Sequence, residues 1–205
     1  MKKKYLDVVF VIDKSGSMSG SEDNTISSFN EYLEKEKKNK FDTKISTVLF
    51  SDHYEYLHNR INVKEVSELT RDDYVVGGCT ALYDALGNAI IKMDNKKTDK
   101  VLFIIITDGY ENASREFNIN KIKHLIKDHK EWEFIYIGAD IDSYAAGSSI
   151  GIKRDNIANY SKDRVGTKKM FNSIGNFSEA MMMEKTTCDW KNELEDYIEN
   201  NKNDD

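Results

Sequence analysis

One stretch decides the fold: residues 8–17, VVFVIDKSGS, an apolar run that ends in one carboxylate and two hydroxyls. A run that is apolar at every position predicts a β-strand buried on both faces, as strands of parallel sheets are. The loop that follows directs Asp13, Ser15 and Ser17 toward one point beyond the carboxyl end of that strand. Oxygen ligands arranged in this way suit a hard divalent cation.

Strand and helix patterns alternate along the rest of the chain, which predicts one sheet covered by helices on both faces. Strands are predicted over residues 5–12, 45–50, 54–58, 101–107, 133–138 and 156–160. The connection at 51–53 is short enough to permit only a hairpin, so the third strand should be an antiparallel edge strand. The very apolar strand 101–107 should lie at the centre. The predicted class is α/β, a Rossmann-like three-layer sandwich with a mostly parallel six-stranded sheet.

Six helices are predicted from apolar spacing and capping residues. The first helix follows the first loop and includes Leu33, the second covers residues 82–93, and the third begins after a cap at Asn118. The fourth covers residues 142–150, the fifth runs from Asp163 to Met183, and the sixth contains Trp190 and Leu194. Length and even composition favour one domain. We assign it to residues 1–183, followed by a helical extension and acidic tail at 184–205.

Composition excludes several classes of function. The net charge is −6 and the basic residues are dispersed, which argues against nucleic-acid binding. Cys79 and Cys188 form no CxxC pair, so neither a zinc cluster nor a disulfide framework is predicted, and free thiols indicate a reducing compartment. The sequence suggests neither a cleavable signal peptide nor a membrane span. We therefore expect a soluble, cytoplasmic protein that does not bind membranes.

Two later segments are placed to complete the site that Asp13 begins. Residues 77–80, GGCT, open the second predicted helix, and residues 107–109, TDG, close the fourth strand. In an open α/β sheet, ligands bind outside the carboxyl ends of the strands, where strand order reverses. Thr80 and Asp108 would then join the first loop, because glycines let the backbones approach closely. Few of these ligands carry charge, which favours Mg²⁺ or Mn²⁺ with an open coordination position over a Ca²⁺ cage.

These motifs resemble a von Willebrand factor A domain with a metal-ion-dependent adhesion site. The Asp-x-Ser-x-Ser motif of that family corresponds to Asp13, Ser15 and Ser17, its threonine to Thr80, and the aspartate of its Thr-Asp-Gly motif to Asp108. The resemblance implies a divalent-cation-dependent protein-binding module whose metal captures an Asp or Glu of a partner protein. It covers roughly residues 5–183. Residues on the rim would contact the partner: Met18, Cys79, Tyr110 and Glu111.

Rival functions use the same residues. An aspartyl-phosphate enzyme needs a second acid two residues after Asp13, where Ser15 stands. The glycine spacing fits neither a P-loop nor a dinucleotide site. A magnesium-dependent hydrolase or phosphatase would need a general base, and Asp84 and Glu111 are poorly placed for that role. An accessory subunit of an ATP-driven complex is a further alternative, because intracellular relatives of the family often have that role. Binding without catalysis is our preferred interpretation.

Overall fold

A six-stranded sheet forms the middle layer of the molecule. This computed structural model describes residues 5–94, 96 and 98–201. The strands run in the order β3-β2-β1-β4-β5-β6, and β3 pairs antiparallel with β2 whereas the other neighbours are parallel. Their bounds are β1 Tyr5–Asp13, β2 Asp42–Phe50, β3 Tyr54–Asn62, β4 Lys100–Thr107, β5 Glu133–Gly138 and β6 Ile157–Asn159. The predicted fold class is confirmed, including the antiparallel edge strand and the central position of β4.

Helices cover both faces of the sheet. They are α1 Glu22–Glu36, α2 Leu82–Asp94, α3 Ile119–Asp128, α4 Ser143–Ser149, α5 Arg164–Met182 and α6 Asn192–Asn201. Alternate residues of β1 separate the two cores: Phe10 packs with α1 and α5, whereas Val9 packs with α2 and α3. As predicted, Asn118 caps α3, accepting a hydrogen bond from the Lys121 N–H. In the same way, Asp163 caps α5.

Some boundaries differ from the prediction. β3 continues four residues beyond 58, and its pairing with β2 contains a β-bulge near Thr47. Arg60 in this stretch has a φ of 58°, and its guanidinium pairs with the buried carboxylate of Asp7 in β1. Because a bulge interrupts the alternation of side chains, the apolar pattern alone ended the strand too early.

The segment after α5 packs against the domain. Trp190 precedes α6 rather than lying within it, and both Trp190 and Leu194 are buried in the core beside Phe177. The Trp190 indole N–H also donates to the carbonyl oxygen of Asp155 at 2.9 Å. Residues 1–4 of the predicted domain and 202–205 of the predicted acidic tail lie outside the described residues. Within the described part of the chain, no helix is long and apolar enough to cross a membrane.

Candidate metal centre

Asp13 ends β1 with its side chain fully buried. Its Oδ1 accepts the Ser15 N–H at 2.7 Å, and its Oδ2 accepts the Thr107 hydroxyl at 2.6 Å. Burial raises the pKa of the Asp13 carboxyl above its usual value, the nearby charge of Asp108 adds to the rise, and the hydrogen bonds oppose it. A buried carboxylate in this position would be stabilised by a cation.

The two serines connect the first loop to Asp108. The Oγ atoms of Ser15 and Ser17 lie 3.2 Å apart, and the Ser17 hydroxyl donates a hydrogen bond to Oδ1 of Asp108. Asp108 follows directly after β4, which neighbours β1 in the sheet, and its side chain is inaccessible to solvent. The carboxyl ends of two adjacent parallel strands therefore bring both predicted carboxylates to one place.

The loop at 77–80 is joined to the first loop through backbone hydrogen bonds. The Gly16 N–H donates to the Gly78 carbonyl at 3.0 Å, and the Gly77 N–H donates to the Lys14 carbonyl at 2.9 Å. Gly78 has a φ of 81°, a conformation that L residues adopt at a cost. The sequence GG thus permits the close approach of the loops that places Thr80.

Thr80 lies against the loop that carries Asp108. Its N–H donates to Oδ1 of Asn112 at 2.9 Å, and the Asn112 N–H donates to its carbonyl oxygen at 3.0 Å. A Cβ atom added at Gly109 would lie 3.0 Å from Oγ1 of Thr80 and 3.4 Å from Oγ of Ser17. The hydroxyls of two different loops therefore border the same glycine.

The donor atoms fit a hard divalent cation. In residues 5–94, 96 and 98–201, no group of three or more His, Cys, Asp or Glu side chains is arranged to hold a metal ion. An ion at this place must therefore draw on hydroxyl oxygens as well as on the two carboxylates. A set of oxygen donors alone suits Mg²⁺ or Mn²⁺ better than a soft metal.

Comparison of the whole sequence with models of known protein families agrees with this geometry. A sequence model of the von Willebrand factor type A domain matches residues 7–179, which is most of the chain. The chain belongs to the von Willebrand factor type A domain family. No curated protein sequence is significantly similar to it.

Solved structures share the fold of this von Willebrand factor type A domain at low sequence identity. Proximal thread matrix protein 1 from the mussel byssus is 17% identical, with a TM-score of 0.62 over 84% of this chain and 46% of its own. The PilB minor pilin of Streptococcus sanguinis is 14% identical, with a TM-score of 0.64 over 86% and 61%. The corresponding domain of the pilus tip protein Mfa5 of Porphyromonas gingivalis is 12% identical, with a TM-score of 0.62 over 87% and 96%.

The present chain thus spans about half the length of the mussel protein. A further structure of that protein has a zinc-occupied metal-ion-dependent adhesion motif; it is 15% identical, with a TM-score of 0.61 over 86% of this chain and 46% of its own. These neighbours are matrix and pilus proteins, and at these sequence identities the likeness shows a shared fold.

Two acidic residues near the site of this von Willebrand factor type A domain stabilise its loops by accepting hydrogen bonds from backbone N–H groups. Glu111 accepts the N–H groups of Tyr83, Ala113 and Ser114 at 2.7–2.9 Å. Asp84 accepts the backbone N–H groups of residues 115–117 at 2.8–2.9 Å. Because backbone amides occupy both carboxylates, neither is free to act as the general base that a hydrolase would require.

The four residues predicted to contact the partner differ in how far they are exposed to solvent. Cys79 and Tyr110 are exposed, and the Tyr110 hydroxyl accepts the Asp142 N–H at 3.0 Å. Glu111 is half-buried. Met18 has no exposed surface and packs in the core with α1 and α5, because a short 3₁₀ turn at Gly16–Met18 directs its side chain inward. The prediction of Met18 as a partner contact is therefore wrong.

Two residues that the sequence analysis did not select also contact the site. Nζ of Lys162 lies 2.8 Å from Oδ2 of Asp108 and donates to the Ser17 carbonyl oxygen at 3.3 Å. Although burial opposes its charge, the hydrogen bonds to Asp108 and Asp140 raise the pKa of Lys162. Asp52 accepts the Cys79 N–H at 3.0 Å. Both come from loops without a motif, so no signal in a single sequence would have singled them out.

Proposed function

We propose that this domain is a divalent-cation-dependent protein-binding module that captures an acidic residue of a partner protein. One observation carries the proposal, namely the arrangement of two buried carboxylates and the hydroxyls of Ser15, Ser17 and Thr80 at the carboxyl ends of β1 and β4. This is the edge of an open α/β sheet at which ligands bind.

In this proposal Asp13, Ser15, Ser17, Thr80 and Asp108 hold the ion, some of them through water. The two carboxylates balance the charge of one divalent ion, and the neutral hydroxyls add none. When bound, the ion supplies an open coordination position that a carboxylate oxygen of a partner can fill. Mg²⁺ is our first choice and Mn²⁺ the second, because both accept a mixture of protein oxygens and water.

Exposure around the site supports binding of a macromolecule. Ser17 and Cys79 are exposed, and Tyr110 is 57% exposed on the loop that follows Asp108. A partner could therefore approach the metal loops directly. The engagement of Asp84 and Glu111 by backbone amides favours binding over the alternative of a hydrolase.

The structural neighbours are consistent with this role. The mussel protein is named a matrix protein, and Mfa5 is named a pilus tip protein. The zinc-occupied motif is a property of the mussel protein. It supports the general point that such a motif in this fold can hold a divalent metal.

The test is affinity capture from the lysate of the native host, with the full chain as bait. The wild-type chain is used with Mg²⁺ and with chelator, beside Asp13→Ala and the control Asp72→Ala, which alters an exposed aspartate. We expect a prey protein that is retained by wild type and Asp72→Ala in Mg²⁺ and lost in chelator or with Asp13→Ala. Substitution of acidic residues in that prey should abolish capture. Equal capture in every condition, or no calorimetric binding of Mg²⁺ or Mn²⁺, would refute the proposal.

A further inference from the structure

Lys162 brings a positive charge to the metal centre from outside the metal motif. Its ammonium group lies between two carboxylates, with Nζ 2.8 Å from Oδ2 of Asp108 and 2.8 Å from Oδ2 of Asp140. The two partners differ in environment. The side chain of Asp108 is inaccessible to solvent, whereas that of Asp140 is 69% exposed.

The position of Lys162 is held by the fold. Its carbonyl oxygen accepts a hydrogen bond from the Asn24 side chain in α1 at 3.0 Å. The next residue, Asp163, caps α5 through the N–H groups of Val165 and Gly166. Only 27% of the Lys162 side chain is exposed. It therefore differs from a freely moving surface lysine, whose ion pairs contribute little.

The two carboxylates at the metal centre require a positive charge nearby even when no metal ion is bound. Asp13 and Asp108 are both buried, and a buried carboxylate without a partner is strongly unfavourable. Asp13 has hydrogen bonds from Ser15 and Thr107. Asp108 has the Ser17 hydroxyl and the charge of Lys162. Lys162 thus provides Asp108 with the countercharge that a metal ion would otherwise supply.

We propose that Lys162 is a built-in counter-cation of the metal centre, which neutralises Asp108 when no ion is bound and competes with the divalent ion for this carboxylate. This inference rests on the proposed metal-binding function. Lys162 lowers the affinity for metal because the ion must approach a fixed positive charge and displace it from Asp108. Asp140 already pairs with the ammonium group at 2.8 Å, so Lys162 keeps one carboxylate partner when the ion takes Asp108.

The experiment is a calorimetric titration of the chelator-treated full chain with MgCl₂ and with MnCl₂. The variants are Lys162→Met and Lys162→Gln, which remove the charge, and Lys162→Arg, which keeps it. Lys168→Met is the matched control, because Lys168 lies at the start of α5 and pairs with Glu31 away from the metal loops. We expect both uncharged variants to bind metal about fivefold or more tightly than wild type. Lys162→Arg and Lys168→Met should remain close to wild type.

Thermal unfolding supplies the second measurement. Without metal, Lys162→Met and Lys162→Gln should melt below wild type, and Mg²⁺ should raise their melting temperature by more than it raises that of wild type. An uncharged variant that folds only after metal is added would support the inference equally.

The outcomes separate the two proposals. If wild type binds metal, Asp13→Ala does not, and Lys162→Met binds no more tightly than Lys168→Met, the inference about Lys162 is wrong while the metal-binding function stands. If neither wild type nor the uncharged variants bind Mg²⁺ or Mn²⁺, both proposals fail.

Discussion

The N–H of Tyr83, the second residue of α2, donates a hydrogen bond at 2.9 Å to Oε2 of Glu111, which lies on the loop after β4. The first amides of a helix have no partner within the helix, and a carboxylate near them also interacts favourably with the helix dipole. Glu111 therefore caps α2 from a distant part of the chain. Since Thr80 lies just before α2, this cap helps to position a candidate metal ligand.

Removal of the Glu111 cap should reduce stability. Glu111→Ala loses the bond to Tyr83 and two further bonds to the N–H groups of Ala113 and Ser114. We expect a fall of about 2 kcal/mol in the free energy of unfolding, measured by urea denaturation. Glu68→Ala, at an exposed position, is the control and should change it by less than about 0.5 kcal/mol.

The same variant distinguishes the two roles considered for Glu111. Unchanged stability together with a loss of partner capture would show that Glu111 is a partner contact, as the resemblance suggested. Reduced stability with partner capture retained at low temperature would show a structural role.

Gly109 provides a test of whether the hydroxyls of Ser17 and Thr80 act together. In Gly109→Ala the new methyl group would lie 3.0 Å from Oγ1 of Thr80, which must therefore shift, and would contact Oγ of Ser17 at 3.4 Å. We expect the affinity for Mg²⁺ or Mn²⁺ to fall about tenfold or more, by calorimetry, as when a metal ligand loses its orientation. Gly77→Ala is the control, because a methyl group there meets no atom within 4 Å. Equal affinity of the two variants would count against a shared site.

The sequence was sufficient to predict the six strands, the antiparallel edge strand and the central position of β4, because the burial of parallel strands leaves a strong local pattern. The run at Val8–Ile12 and the short hairpin before Tyr54 determine two of the main features, a strand buried on both faces and an antiparallel edge strand. The Ser/Asp motifs at the strand ends predicted which loops would meet. Their backbone hydrogen bonds, such as that from Gly16 to Gly78, then follow from the topology.

The remaining features depend on contacts between distant residues that leave no pattern in one sequence. Lys162 precedes α5 and resembles any other lysine in a loop until the fold places it against Asp108. Met18 lies in a polar loop and was predicted to be on the rim, but a single turn of 3₁₀ helix directs it into the core. The orientation of one turn is decided by tertiary packing rather than by local composition.

Gly78 should be less tolerant of substitution than Gly20, although both have positive φ, at 81° and 88°. Gly20→Ala introduces only backbone strain, roughly 1 kcal/mol, because a methyl group there has open space. In Gly78→Ala the methyl group would lie 2.1 Å from Oδ2 of Asp52, so this carboxylate must move away from the Cys79 N–H that it accepts. We expect a loss of about 2–3 kcal/mol in urea denaturation. Equal losses for the two variants would show that Asp52 moves without cost.

Glu36 is a buried carboxyl group at the end of α1, close to α5. Burial raises its pKa to about 7, the charge of Glu179 adds to the rise, and hydrogen bonds with Asn39 and Ser178 oppose it. The folded protein therefore binds this proton more tightly than the unfolded chain does. The corresponding stability is fully present below the unfolded pKa of about 4.5 and is lost as the pH rises through 7.

Glu36→Gln removes this ionisation while it keeps the size and hydrogen-bonding capacity of the side chain. The variant should match wild type near pH 4 and exceed it by about 2 kcal/mol in free energy of unfolding near pH 8, where the wild-type carboxyl is charged in its buried position. Urea denaturation of both proteins at a series of pH values gives this difference directly, without the contribution of other titrating groups. Glu34→Gln is the control, since Glu34 is exposed and Lys37 lowers its pKa. A gain at pH 8 that equals the gain at pH 4 would mean that folding does not raise the pKa of Glu36, because only a pKa that differs between the folded and unfolded chains can make the gain depend on pH.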